Sequence, residues 1–283
     1  MSIFDGNSQQ DKVWFITGAS TGFGRLLAQH LLTLGAKVVA TARKPEALAD
    51  LASPDLLALP LDVTQPAQVA SAVDQALARF GHVDVLVNNA GYGVTGAFEE
   101  VSDDELQPMF QTNVFGLITV TKALLPQFRA RRSGNILNLS SVGGLIGLPG
   151  WSMYNATKFA VEGMSEALGE ELAPLGIHVT IVEPGPFRTD FLGRSGVEAA
   201  LQIPDYAATA GKTREYFQTQ AGKQAGDPQK AIEAMVAAAS APKPPRHLLL
   251  GKLALDRYRV KVKNFEADIA AWEDVTLGAD FPR

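Results

Sequence analysis

The sequence predicts an α/β protein built on a doubly wound parallel sheet. Three features carry that expectation. Seven short apolar runs of strand length alternate with segments whose apolar residues recur at helical spacing. Most of those runs are continuously apolar instead of alternating, as strands covered on both faces are. The first run leads straight into a glycine-rich turn and then a helical pattern, the order that a dinucleotide site requires.

Bulk composition narrows the field. The 283 residues are 46% hydrophobic and 19% charged, which describes a folded domain, and neither an internal repeat nor a linker marks a second one. A net charge of −5 leaves no electrostatic footprint for nucleic acid. With no cysteine, a disulfide framework and a thiolate metal site are both excluded, and no metal is expected. The amino-terminal stretch MSIFDGNSQQDK has neither the basic start nor the apolar core of a secretory signal, so a cytoplasmic location is expected. Residues 133–157 lack charge, yet Asn135, Asn138, several glycines and Pro149 make a poor lipid-facing helix, and no membrane association is expected.

Residues 12–17, KVWFIT, form the first expected strand and feed GASTGFG. Gly18, Gly22 and Gly24 let the backbone turn sharply and approach a ligand, with Ser20, Thr21 and Phe23 filling the turn. Leu27, Leu31 and Leu34 continue it as a helix whose free N–H groups would face a phosphate. The same letters spell the G-x-S-x-G of a hydrolase elbow at Ser20. That rival needs an oxyanion hole from an earlier strand–helix loop, and no strand pattern precedes residue 12.

A second strand, within residues 36–43, ends near Thr41, and the place where an NAD site would carry an acidic residue is held by Ala42 and Arg43, with Lys44 beyond. A guanidinium suits a 2′-phosphate, so NADP(H) is favoured and NAD(H) remains possible. The third strand, 56–60, is followed by Asp62 and Val63; Asp62 would either accept from an adenine amino group or cap the loop before a helix starting near Thr64 and Pro66. Val69, Val73, Leu77 and Phe80 are its core stripe.

The fourth strand, 83–87, runs into Asn88-Asn89-Ala90-Gly91, at the carboxyl edge where open α/β sheets bind ligands. A long helical region, 102–130, is expected to break or bend near Pro108 and Pro126, and Asn113 within it needs a partner for its amide. The fifth strand, 135–139, delivers Ser141 to the same edge. Tyr154 and Lys158 follow on a helix to about residue 172, one turn apart on one face. A phenol ordinarily titrates near 10; a lysine cation beside it should draw that value down, so that the tyrosine can trade a proton with an alcohol or carbonyl oxygen, while the Ser141 hydroxyl polarises that oxygen.

A sixth strand, 177–182, ends at Glu183-Pro184-Gly185-Pro186. Residues 187–222 have no clean period and read as a lid, a substrate loop or a surface insertion. A helix over 227–239 capped by Asp227, a seventh strand over 246–250, and a charged helix over 254–273 complete the chain. On that last helix Leu255, Val262 and Phe265 share one side, expected to pack on the domain or on a partner subunit.

The set Thr17-Gly18-(x)3-Gly22-x-Gly24, Asn88-Asn89-Ala90-Gly91, Asn113, Ser141, Tyr154-(x)3-Lys158 and Pro184-Gly185 resembles the short-chain dehydrogenase/reductase family over about residues 11–250. The resemblance implies a single Rossmann domain with a seven-stranded sheet over 1–253, a substrate loop near 187–222, and a helical extension over 254–283. It implies an oxidoreductase that moves a hydride between nicotinamide and a carbonyl or alcohol carbon. Tyr154 would be the general acid/base, Lys158 its tuner and a holder of the nicotinamide ribose, Ser141 the anchor of the substrate oxygen, and Asn113 the support of a proton-relay water. The glycine turn would take the pyrophosphate, Asp62 the adenine, Asn89 the adenosine ribose region and Thr189 the nicotinamide carboxamide. One departure concerns cofactor choice: many NADP-preferring members carry a basic residue where this chain has Thr21. The region 183–191 and the extension look like the branch containing 17β-hydroxysteroid and retinol dehydrogenases. Leu148, Trp151, Val94 and Phe191 point either to an apolar substrate pocket or to core packing, and a homo-oligomer, dimer or tetramer, is expected from the family. A cofactor-binding sensor without catalysis is the alternative on the same fold.

Overall fold

The computed structural model describes residues 9–193 and 195–281, so residues 1–8 of the amino-terminal stretch read above lie outside it, as does Arg194. The chain opens with β1 (Val13–Ile16), α1 (Gly22–Thr33) and β2 (Lys37–Ala42), then passes through a 3-10 turn at Pro45–Leu51 into β3 (Leu56–Pro60) and α2 (Pro66–Phe80). After β4 (Val85–Asn88) and the short β5 (Gly93–Thr95) come α3 (Asp103–Phe110), a π turn at Gln111–Gly116, and α4 (Leu117–Arg131). The second half holds β6 (Gly134–Leu139), α5 (Ser152–Leu172), β7 (Ile177–Pro184), β8 (Gly196–Glu198), α6 (Lys212–Gln220), α7 (Pro228–Ser240), β9 (His247–Leu250), α8 (Lys252–Ala271) and α9 (Glu273–Leu277).

Seven strands form one parallel sheet in the order β3-β2-β1-β4-β6-β7-β9. Its central strands are buried on both sides, and the pleat sends alternate residues to opposite layers. Trp14 and Ile16 pack with Leu27, Leu31, Ile232 and Met235, which come from α1 and α7. Val13 and Phe15 pack with Val69, Val73, Leu124 and Phe128, which come from α2 and α4. The doubly wound fold expected from the apolar runs is therefore present. The strand order reverses direction between β1 and β4, and a crevice opens there at the carboxyl ends.

Three elements differ from the sequence reading. The region expected to break at two prolines instead runs through Pro126 inside α4 and widens only once, in the π turn after Pro108, which holds Asn113. Segment 187–222 is not a bare loop: β8 pairs in parallel with β5, and α6 buries Arg214 and Phe217. Three residues are too short a strand to show a period, and a helix burying two side chains shows almost no stripe. Finally, α8 packs on the domain only through its first turn, where Ala254 is buried with Val142 and Ile146. No described residue from 255 to 281 is buried.

Candidate active site

A cleft of about 1250 Å³ lies at the carboxyl ends of the strands, more than a small ligand needs. Its first wall is the glycine turn between β1 and α1. At Gly18 the backbone takes φ +66°, and a Cβ there would stand 2.8 Å from Ala90 Cα. At Gly24 a Cβ would meet Asn89 Nδ2 at 2.5 Å, because that amide donates to both Thr17 O and Gly18 O at 2.9 Å. Thr17 Oγ1 accepts from the N–H groups of Asn89 and Ala90, each at 3.0 Å. The two turns after β1 and β4 are thus locked together through main chain. Asn88 faces inward, where Nδ2 donates to Thr121 Oγ1 and Asn138 Oδ1.

Of the residues singled out from the sequence, Gly18, Ser20, Thr21, Gly22, Phe23, Arg43, Asp62, Val63, Asn89, Ala90, Gly91, Ser141, Tyr154, Lys158, Pro184, Gly185 and Thr189 all line this cleft. Gly24 and Asn113 do not. Gly24 is buried where α1 crosses Asn89, which is why a side chain cannot fit. Asn113 is also buried: its Oδ1 accepts from Tyr92 N at 3.0 Å, and its Nδ2 donates to Tyr92 O at 2.7 Å and Thr157 Oγ1 at 3.1 Å. Its side-chain amide is thus engaged by protein groups. Asp62 does cap its loop, accepting from Thr64 N and Oγ1 at 2.9 and 2.7 Å.

At the other end, α5 presents Tyr154 and Lys158 to the same cleft, and β6 brings Ser141 to it. Lys158 Nζ lies 5.7 Å from the centre of the Tyr154 ring and donates to Leu139 O at 2.6 Å. The electrostatics correct one expectation. Burial pushes the Tyr154 phenol up to about 12, with a hydrogen bond from Ser141 pulling the other way. Desolvation outweighs that hydrogen bond. Burial also draws the Lys158 ammonium down to about 8, partly offset by the Glu162 carboxylate.

A family model described as short chain dehydrogenase matches residues 12–198, the stretch that holds this entire arrangement up to Thr189. The chain belongs to the short-chain dehydrogenase family. It is 37% identical to the oxidoreductase BOA17 of Botryotinia fuckeliana (strain B05.10) over 272 residues, 95% of this chain and 99% of that one. The crystal structure of a short-chain dehydrogenase from Streptomyces avermitilis superposes with a TM-score of 0.89 at 44% identity, covering 95% and 99% of the two chains. A family member from Burkholderia phymatum, solved in complex with NAD, superposes with a TM-score of 0.81 at 25% identity, covering 92% and 96%. The protein is an NAD(P)-dependent dehydrogenase/reductase of this family. Among its described residues no helix is long and apolar enough to cross a membrane.

Three parts of this short-chain dehydrogenase escaped the sequence reading. The first is Phe217, which joins the wall beside Tyr154: Trp151 packs 5.1 Å from the Tyr154 ring, 6.0 Å from Phe191 and 5.2 Å from Phe217. Leu148, Trp151 and Phe191 line the cleft as expected, whereas Val94 is sealed in the core beneath them. The second is the buried pair Glu100 and Arg214, 2.7 Å apart, which ties segment 187–222 to the body. Burial alone would raise the Glu100 carboxyl, but hydrogen bonds from Arg214, Ile203 N and Ala97 N hold it at about 2. The third lies behind Lys158. Glu162 and Glu183 are 5% and 1% exposed, and burial pushes both carboxyls up to about 7. His247 Nδ1 stands 2.6 Å from Glu183 Oε1. The one signal available was the place of Glu162 a single turn beyond Lys158. No histidine lines the cleft among the described residues, which removes the partner that Ser20 would need as a hydrolase nucleophile.

Proposed function

We propose that this dehydrogenase reduces an apolar ketone or aldehyde with NADP(H), reversibly with oxidation of the alcohol. The observation that carries the reading is the convergence of Tyr154, Ser141 and Lys158 on the cleft that the glycine turn walls. The residues present fit a dinucleotide. A Cβ-free turn at Gly18 and Gly22 offers main-chain N–H groups to a pyrophosphate, and Arg43 stands exposed on the cleft rim for a 2′-phosphate. Asp62 and Val63 would hold the adenine, Asn89, Ala90 and Gly91 the adjoining ribose, and Pro184, Gly185 and Thr189 the nicotinamide end. Bound NADPH would supply the hydride.

The chain itself supplies the proton. With its phenol at about 12, Tyr154 is neutral at pH 7 and donates to the carbonyl oxygen. Ser141 Oγ hydrogen-bonds the same oxygen and stabilises negative charge developing on it. Lys158 would hold the nicotinamide ribose, and it carries positive charge beside the phenolate that forms. Asn113 acts one step back, as a positioning residue that fixes Tyr92 above Gly91. The rings of Trp151 and Phe191 exclude water and favour an apolar substrate.

The test is a panel of aliphatic, aromatic, steroid and retinoid carbonyls with NADPH and with NADH. Oxidation of one NADPH per alcohol formed is expected for an apolar member of the panel. Ester cleavage in the absence of either nucleotide would overturn the reading.

A further inference from the structure

The extension past β9 leaves apolar surface uncovered in a regular pattern. Leu255, Tyr258, Val262, Phe265 and Ile269 on α8, with Trp272 at its end, are each between 37% and 65% exposed. Their spacing alternates three and four residues, the 3.5-residue repeat of a seam between two helices. An isolated helix in water gains nothing from such a stripe, because helices are stabilised chiefly by burying their apolar face.

The charges beside the stripe identify what covers it. Arg259 and Lys261 flank its first half, and Glu266 and Asp268 flank its second. That order runs against the helix macrodipole, which prefers acids early and bases late. It is favourable when an identical helix lies alongside in the opposite direction, since each basic half then faces an acidic half. A parallel copy would instead keep only Lys261 against Glu266 and set Asp268 against Glu273, like charge on like.

We propose that α8 pairs antiparallel with α8 of a second copy of this chain, about a two-fold axis between Val262 and Phe265. One register satisfies every position. Val262 meets Phe265 of the second copy, Tyr258 meets Ile269, and Leu255 meets Trp272, so that smaller side chains face larger ones through most of the seam. In the same register Arg259 faces Glu266 and Lys261 faces Asp268, each contact occurring twice. The interface is self-complementary, as a two-fold dimer requires. This pairing leaves the cleft of each copy where it is, and its test does not depend on the catalytic reading.

Light scattering on the full chain measures it. Phe265→Asp is expected to halve the mass of the assembly while coenzyme binding stays within error, because α8 beyond Ala254 lies outside the core. Reversing Arg259→Glu with Lys261→Glu should also halve the mass, and adding Glu266→Arg with Asp268→Lys should restore it. The absence of native cysteine allows a direct reading of direction. Under mild oxidation, mixed Leu255→Cys and Trp272→Cys chains should couple to each other, whereas Leu255→Cys alone should not self-couple, its two copies being about 25 Å apart along an antiparallel seam. A monomeric wild type, a mass unaffected by Phe265→Asp, failure of the charge exchange to restore it, or self-coupling of Leu255→Cys would each overturn the proposal.

Discussion

The glycine-turn wall of the cleft and the aromatic wall beside Tyr154 are held by different means. In the first, two turns about 70 positions apart fix each other through contacts that reach main chain: Gly18 against Ala90, and Asn89 Nδ2 on Thr17 O and Gly18 O. In the second, side chains meet only side chains. Trp151, Phe191 and Phe217 share one cluster, and the segment that supplies the last two is tied down by Glu100 and Arg214, 114 positions apart. The coenzyme side therefore tolerates almost no change of backbone, whereas the substrate side can be loosened separately.

The sharpest way to break this division is Arg214→Ala, which strands the buried Glu100 carboxylate. A loss of about 3 kcal/mol is expected, read as a lower denaturant midpoint, with KM for the carbonyl raised and the Kd for NADPH changed less than twofold. Equal damage to both constants would show that the walls are coupled. On the opposite side, Gly18→Ala forces a side chain into the left-handed region against Ala90, at a cost of about 2 kcal/mol. Nucleotide affinity should fall roughly thirtyfold in calorimetry, while protection of segment 187–222 from protease is retained. Arg43→Asp changes charge on the coenzyme wall without touching its backbone. Replacing a charge-assisted contact costs about 1.5–3 kcal/mol, so the ratio of NADPH to NADH affinity should invert, and an unchanged ratio would remove Arg43 from the coenzyme contacts.

The smallest effect lies where the walls meet. Lys158 is depressed from its ordinary 10.5 to about 8 by burial. The folded form therefore sheds its proton first, and global stability should rise between about pH 8 and 10.5, where the unfolded chain binds more protons. Carbonyl reduction should do the reverse, falling above about pH 8 as the charge beside Tyr154 is lost. A profile of kcat/KM flat to pH 10 would contradict the assigned role.

Legibility in the sequence follows the same division. Gly18, Gly22, Asn89 and Tyr154 with Lys158 could be read because local spacing determines where they point. The seven strands were legible because a sheet buried on both faces needs continuous apolar runs. By contrast, β8 is three residues long and is defined only by its pairing with β5. The partnership of Glu100 with Arg214, and of Glu162 with Glu183, leaves no local mark at all. The direction of the Tyr154 shift was misjudged for a related reason: spacing places a lysine near a phenol, but only the packed structure shows how far both are removed from water.

The claim on which the account rests is that the Tyr154 phenol donates the proton that completes carbonyl reduction. Single-turnover reduction by Tyr154→Phe with saturating NADPH, alongside titration of NADPH binding to the same variant, tests it most directly. A rate lowered about a thousandfold, with nucleotide affinity within twofold of wild type, is the expected result. A variant that turns over at the wild-type rate would contradict it.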